Sequence, residues 1–229
     1  MANDQARIPV IAIDGPSGSG KGTVSRLLAD ELDWNLLDSG ALYRLLAIAA
    51  FDRKLDDEER ISKLVPKLDI QFEITETGGE RIRLDGKDVT DRVRLESTGE
   101  LASRVAVMPA VRQALVGKQL SFRKPPGLVA DGRDMGTVIF PDAELKIFLT
   151  ASAEERAERR YKQLKDKEKT ASIPALFREI SERDARDASR EISPLRPADD
   201  AVLIDTDHLD IPAVLNRVLE LVRDRFPHI

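Results

Sequence analysis

The sequence has no cysteine, which excludes a disulfide framework, a thiolate nucleophile and any cysteine-ligated metal or cluster. That absence fits a reducing compartment. It holds only two histidines, His208 and His228; both lie outside every motif described below, and a bland role is expected for each. No run of about 18 apolar residues occurs, so no span across a membrane is expected. The apolar run near the start, "IPVIAID", is too short for a signal sequence and ends in an aspartate. An excess of positive charge is also missing: the net charge of −5 argues against nucleic-acid binding by bulk electrostatics. There is no internal repeat and no low-complexity segment. A cytoplasmic protein is the expectation, and a monomer, because no apolar stripe is left over once each helix face is assigned to a core.

What is present is an alternation of strand and helix. The runs "IPVIAID" (8–14), "WNLLD" (34–38), "GLVAD" (127–131), "LKIFLTA" (145–151) and "AVLID" (201–205) read as short, continuous strands of the kind buried on both faces of a parallel sheet. Helices are expected over 20–32, with Val24, Leu27, Leu28 and Leu32 on one face, and over 39–52, where Ser39 is a candidate cap. Others are expected from about 97 to 120, over 152–167 and 173–191, and at the end, with Ile211, Val214, Leu215, Val218, Leu221 and Val222 inward. Between 63 and 96 the pattern changes: "LDIQFEIT" alternates, and Gly78-Gly79 and Asp85-Gly86 flank "ERIRL" as hairpin signals. The expected fold is α/β: a P-loop NTPase-type parallel sheet flanked by helices, over 1–62, 97–151 and 191–229. A small antiparallel insert occupies 63–96, and a short lid with its following helix 152–190.

The most informative stretch is "GPSGSGKGT": Gly15, Pro16, Ser17, Gly18, Ser19, Gly20, Lys21, Gly22 and Thr23, between the first strand and the first helix. Glycines let backbone N–H groups approach a polyphosphate, the helix adds its positive end, and Lys21 supplies a point charge. The spacing matches a P-loop with one departure, Gly22 standing where the strict pattern has Ser or Thr. A nucleoside triphosphate is therefore the expected ligand, though P-loops serve ATPases, GTPases and kinases alike.

Polar residues at other strand exits extend the site. "DSGALYR" presents the Ser39 hydroxyl at the start of a helix, and Arg44, one turn in, could clamp a second phosphate; a cap and a solvated arginine would also explain the pair. "VADGRDMGT" places Asp131 where a Walker B carboxylate would hold Mg²⁺, directly or through water, followed by Arg133 and Asp134. In "ERDARD" and beyond, Arg183, Asp187 and Arg190 share a helix face, which a salt-bridged exposed helix also explains in part. Arg156, Arg159 and Arg160 could reach transferring phosphates from a lid, or belong to a plain charged helix. Across 152–190 the two signs are interspersed, which speaks against a nucleic-acid arm.

Taken together, "GPSGSGKGT", "LLDSGALYR", "VADGRDMGT" and "ERDARD" resemble the bacterial cytidylate kinases over nearly the whole chain, including the antiparallel insert. A Gly-Thr ending of the P-loop is usual among nucleoside monophosphate kinases. The resemblance implies transfer of the ATP γ-phosphoryl group to CMP or dCMP with Mg²⁺. It implies that Lys21, Arg133 and the lid arginines are catalytic. Ser39, Arg44 and Arg133 would engage the acceptor nucleotide, the two arginines chiefly through its phosphate. Ser103, Arg112 and Asp134 would read the cytosine, Arg183 and Asp187 the pentose, and Arg190 the phosphates. A carboxylate accepts from the exocyclic amine of cytosine and repels the oxygen that uracil shows there. The acceptor phosphate is mostly dianionic at neutral pH, so no general base is required. Two rivals stay open: another small acceptor, for which Asp38 would be the suspected base, and a non-catalytic nucleotide-binding regulatory module.

Overall fold

A computed structural model describes residues 8–74, 80–165, 172–189 and 193–228. The chain divides into two compact units, Met1–Leu37 with Phe122–Ile229, and Asp38–Ser121. The elements run β1 (Val10–Asp14), α1 (Lys21–Leu32), β2 (Asn35–Asp38), α2 (Ser39–Asp52), α3 (Glu58–Ser62), β3 (Ile70–Ile74), β4 (Glu80–Leu84), β5 (Lys87–Asp88), α4 (Thr90–Val93), α5 (Glu96–Val105), α6 (Pro109–Leu120), β6 (Leu128–Gly132), β7 (Leu145–Thr150), α7 (Ala153–Lys165), α8 (Ile173–Ala188), β8 (Val202–Asp205) and α9 (Ile211–Arg225).

The first unit is built on a sheet of order β2-β6-β1-β7-β8, in which β1 runs parallel to both β6 and β7, and β7 to β8. The apolar runs of β1, β6 and β7 are buried along their length, as strands covered on both faces must be. Ile11, Ile13, Val129, Ile147 and Leu149 pack with Val24 and Leu28 of α1 and with Val214, Val218 and Val222 of α9. Those three valines are the fully buried line of the expected α9 face; Ile211, Leu215 and Leu221 are partly buried beside them. The register pairs Ile13 with Asp131 and Asp14 with Gly132. The loop entering α1 and the polar exit of β6 therefore leave the sheet side by side, at the carboxyl ends of the strands where open α/β sheets bind ligands.

The second unit holds the antiparallel sheet β3-β4-β5 with helices α2 to α6. Leu45, Leu46, Ile61, Val65, Ile82, Leu84, Val105, Val111 and Leu115 form its core. Asp85-Gly86 is the two-residue turn between β4 and β5, with φ of 51° and 77°; Gly78-Gly79 lies outside the described residues. The helix expected from about 97 to 120 is two helices, because Met108 is extended ahead of Pro109, which opens α6. The short helices α3 and α4 are additions to the sequence reading. Among the described residues no helix is long and apolar enough to cross a membrane.

Candidate active site

The glycine loop spans 15–20, and α1 begins at Lys21 behind Gly20, whose φ of 90° is the left-handed conformation that glycine adopts without strain. Lys21 is buried, and its Nζ donates to the carbonyl of Pro16 at 3.2 Å. Ser19 Oγ donates to the same carbonyl at 3.1 Å. The departure at position 22 has a local cause: a Cβ on Gly22 would lie 3.1 Å from Asp131 Oδ2, so a serine or threonine there would crowd the carboxylate.

Asp14, at the end of β1, is a site residue that the sequence reading passed over. It is buried, and its two oxygens accept from the backbone N–H groups of Met135 and Gly136, each at 2.8 Å. Burial pushes its carboxyl from the ordinary 3.8 up to about 6; neighbouring Asp134 adds to the rise, while the two N–H donors and Lys21 oppose it. The available signal was an acidic residue closing an apolar strand directly before the glycine loop.

Asp131, near the end of β6, and Asp134, just beyond it, are both buried. The carbonyl of Asp134 accepts from Val138 N and Ile139 N, which winds residues Met135–Ile139 into a π-helical turn. Arg133 donates through Nε to Asp187 Oδ2 at 2.9 Å, and Asp187 is 1% exposed. Arg183 stands one turn earlier on α8, half-buried. Lys21, Asp131, Arg133, Asp134, Arg183 and Asp187 thus all belong to the first unit, together with Asp14. Arg190 lies outside the described residues.

The arginines expected on a lid have protein partners. Arg156, 3% exposed, donates to the carbonyls of Ala151, Ser152 and Ser17, and grips Asp184 with both terminal nitrogens at 3.0 and 2.5 Å. It connects α7, the glycine loop and α8. Arg159 bonds Glu155 at 3.1 Å and both the hydroxyl and the carbonyl of Thr206. Thr206 is fully buried, and the one proton of its hydroxyl is within reach of Ser19 O at 3.2 Å and Thr150 O at 3.0 Å. Arg160 reaches Gln163 Oε1 at 3.5 Å. Asp184 stands inside "ERDARD" but was assigned no role there, and Thr206 lay outside every motif.

Ser39, Arg44, Ser103 and Arg112 belong to the second unit. The cap of α2 is Asp38 and not Ser39: Asp38 Oδ1 accepts from Ala41 N at 2.8 Å, being the extended residue ahead of the first turn. Ser39 instead donates to Oε1 of buried Gln119 at 2.9 Å. Arg44 donates to the carbonyls of Val93 and Leu95 at 2.9 and 2.8 Å. Arg112, also buried, donates to Ala106 O at 3.2 Å, and Ser103 is half-buried on α5.

Among the described residues no group of three or more His, Asp or Glu side chains could hold a metal ion unaided. Mg²⁺ needs no such cage, since it commonly keeps its waters and binds through one or two carboxylates plus substrate phosphates. The Asp131 carboxylate, 3.1 Å from where a Cβ of Gly22 would stand, suits that kind of binding.

A buried-strand parallel sheet, a glycine loop opening a helix, and an acidic strand exit beside it define a P-loop fold. The chain belongs to the cytidylate kinase family: the family model described as cytidylate kinase matches residues 11–224. The cytidylate kinase of Pseudomonas paraeruginosa is 58% identical over 217 residues, 93% of this chain and 95% of that protein. That of Stutzerimonas stutzeri is 57% identical over 221 residues, 95% and 96% of the two. Among solved structures, TT1252 from Thermus thermophilus covers 96% of this chain and 98% of its own, at 20% identity and a TM-score of 0.48.

Proposed function

We propose that this enzyme transfers the γ-phosphoryl group of ATP, taken as its Mg²⁺ complex, to CMP and dCMP, giving CDP or dCDP and ADP. The observation that carries the reading is the glycine stretch of 15–23, with its buried Lys21 and with Gly22 set against the Asp131 carboxylate, in a chain of this family. Glycine-loop N–H groups and the start of α1 would cradle the ATP phosphates. Lys21, with Arg156, Arg159 and Arg160, would offset charge on the migrating group. Asp131 would hold Mg²⁺, directly or through water, and the ion would supply further positive charge to the phosphates.

Arg44 and Arg133 would take the acceptor phosphate, with Ser39 a further contact to that nucleotide. Ser103, Arg112 and Asp134 would read the cytosine, Arg183 and Asp187 the pentose, and Arg190 the phosphates. The acceptor is a dianion already, so its oxygen attacks the γ-phosphorus without a base, the bond to ADP breaks, and no proton must move. The segment over 63–96 is read as the acceptor insert, and 152–190 as the lid with its following helix. A monomer in the cytoplasm, where both nucleotides are found, goes with this reading.

Asp134→Asn tests the base-reading part. The variant should lose about 10²-fold in kcat/KM for CMP and gain relative to that on UMP, since its amide donates where a carboxylate only accepts. An unchanged CMP-to-UMP ratio would remove Asp134 from base recognition.

A further inference from the structure

Because Asp38 caps α2, the hydroxyl of Ser39 is left to another partner. That partner is Gln119, 80 residues on, and the pair is almost sealed, at 4% and 2% exposure. Gln119 follows Val111 and Leu115 along the inner face of α6 at four-residue steps. Arg112, the expected base reader, is seven positions before it, two turns and about 10 Å along the axis. A buried amide is costly unless it is hydrogen-bonded, and an apolar side chain would fill this position as well. The glutamine is therefore explained by its bond to Ser39.

A hydroxyl has one proton and two lone pairs. With the proton directed to Gln119 Oε1, Ser39 meets any ligand as an acceptor. The dianionic phosphate of the acceptor nucleotide has no proton to offer. Its nucleoside half has several, on the pentose hydroxyls and the exocyclic amine of cytosine.

We infer that Gln119 is a positioning residue for the acceptor nucleotide: it turns the Ser39 hydroxyl so that its lone pairs face a hydrogen-bond donor on the nucleoside, not on the phosphate. The inference rests on the reading of Ser39 as a contact to that nucleotide.

The test is a double-mutant cycle of Ser39→Ala and Gln119→Met, with CMP varied at saturating ATP and then ATP varied at saturating CMP. Each single change should raise KM for CMP about five- to tenfold, with kcat and KM for ATP held within about twofold. The double variant should be no worse than the worse single one, because Gln119 acts only through Ser39. Effects that multiply would overturn the inference, since a packing role or a separate contact would add to the loss. A normal KM in Gln119→Met beside a raised one in Ser39→Ala would remove Gln119 alone. A normal KM in Ser39→Ala would remove the reading of Ser39, and the inference with it. Gln119→Leu carries the same expectation if the methionine variant does not fold.

Discussion

Asp14 offers a prediction whose size follows from its surroundings. Its carboxyl is pushed from 3.8 up to about 6, chiefly by burial. Between those two values the folded protein keeps a proton that the unfolded chain has released, so stability falls as pH rises through that range. Each pKa unit corresponds to about 1.4 kcal/mol, so the contribution totals about 3 kcal/mol once pH exceeds 6. About 2 kcal/mol of it is lost between pH 4.5 and 7.5. Asp14→Asn removes the titration. It also leaves one of the two N–H groups, Met135 or Gly136, without its acceptor, a cost of about 1–3 kcal/mol that does not vary with pH. Urea unfolding of both proteins at the two pH values isolates this group together with its coupling to Asp134 and Lys21, because the titrations of groups remote from it are shared. The stability of wild type relative to the variant should fall by about 2 kcal/mol from pH 4.5 to 7.5. Parallel curves, or a relative gain with rising pH, would refute the reasoning that burial outweighs the N–H donors and Lys21.

Two further substitutions test separate parts of the site. Lys21→Ala should reduce kcat about 10²–10³-fold and leave the circular dichroism spectrum and melting temperature nearly unchanged, and near-normal turnover would sink its role in charge neutralisation. Arg156→Ala breaks a part-buried, two-pronged pair with Asp184 and frees the Ser17 carbonyl; it should destabilise by about 2 kcal/mol in chemical denaturation, and an unshifted unfolding midpoint would show that the connection is idle.

The parts of the fold that were legible in the sequence are those with local causes. The apolar runs of β1, β6 and β7, the spacing along α9, the glycine loop and the Asp85-Gly86 turn each follow from a few adjacent residues. The missed boundary at α6 also had a local signal in Pro109, hidden because the helical pattern continues on both sides of it. Side-chain partners across long separations left no trace in periodicity. Asp14 meets Gly136 across 122 residues, Ser39 meets Gln119 across 80, and Arg156 meets Asp184 across 28. The cap of α2 was misread for a related reason: Asp38 and Ser39 are both good caps, and the partner that occupies Ser39 is distant.

The most direct test of the central claim is ADP release from ATP and Mg²⁺ with CMP, dCMP, UMP, AMP and GMP offered one at a time. Strong turnover with CMP and dCMP, and little with the other three, is the predicted result. Turnover led by AMP, GMP or UMP, or none with any of the five, would contradict it.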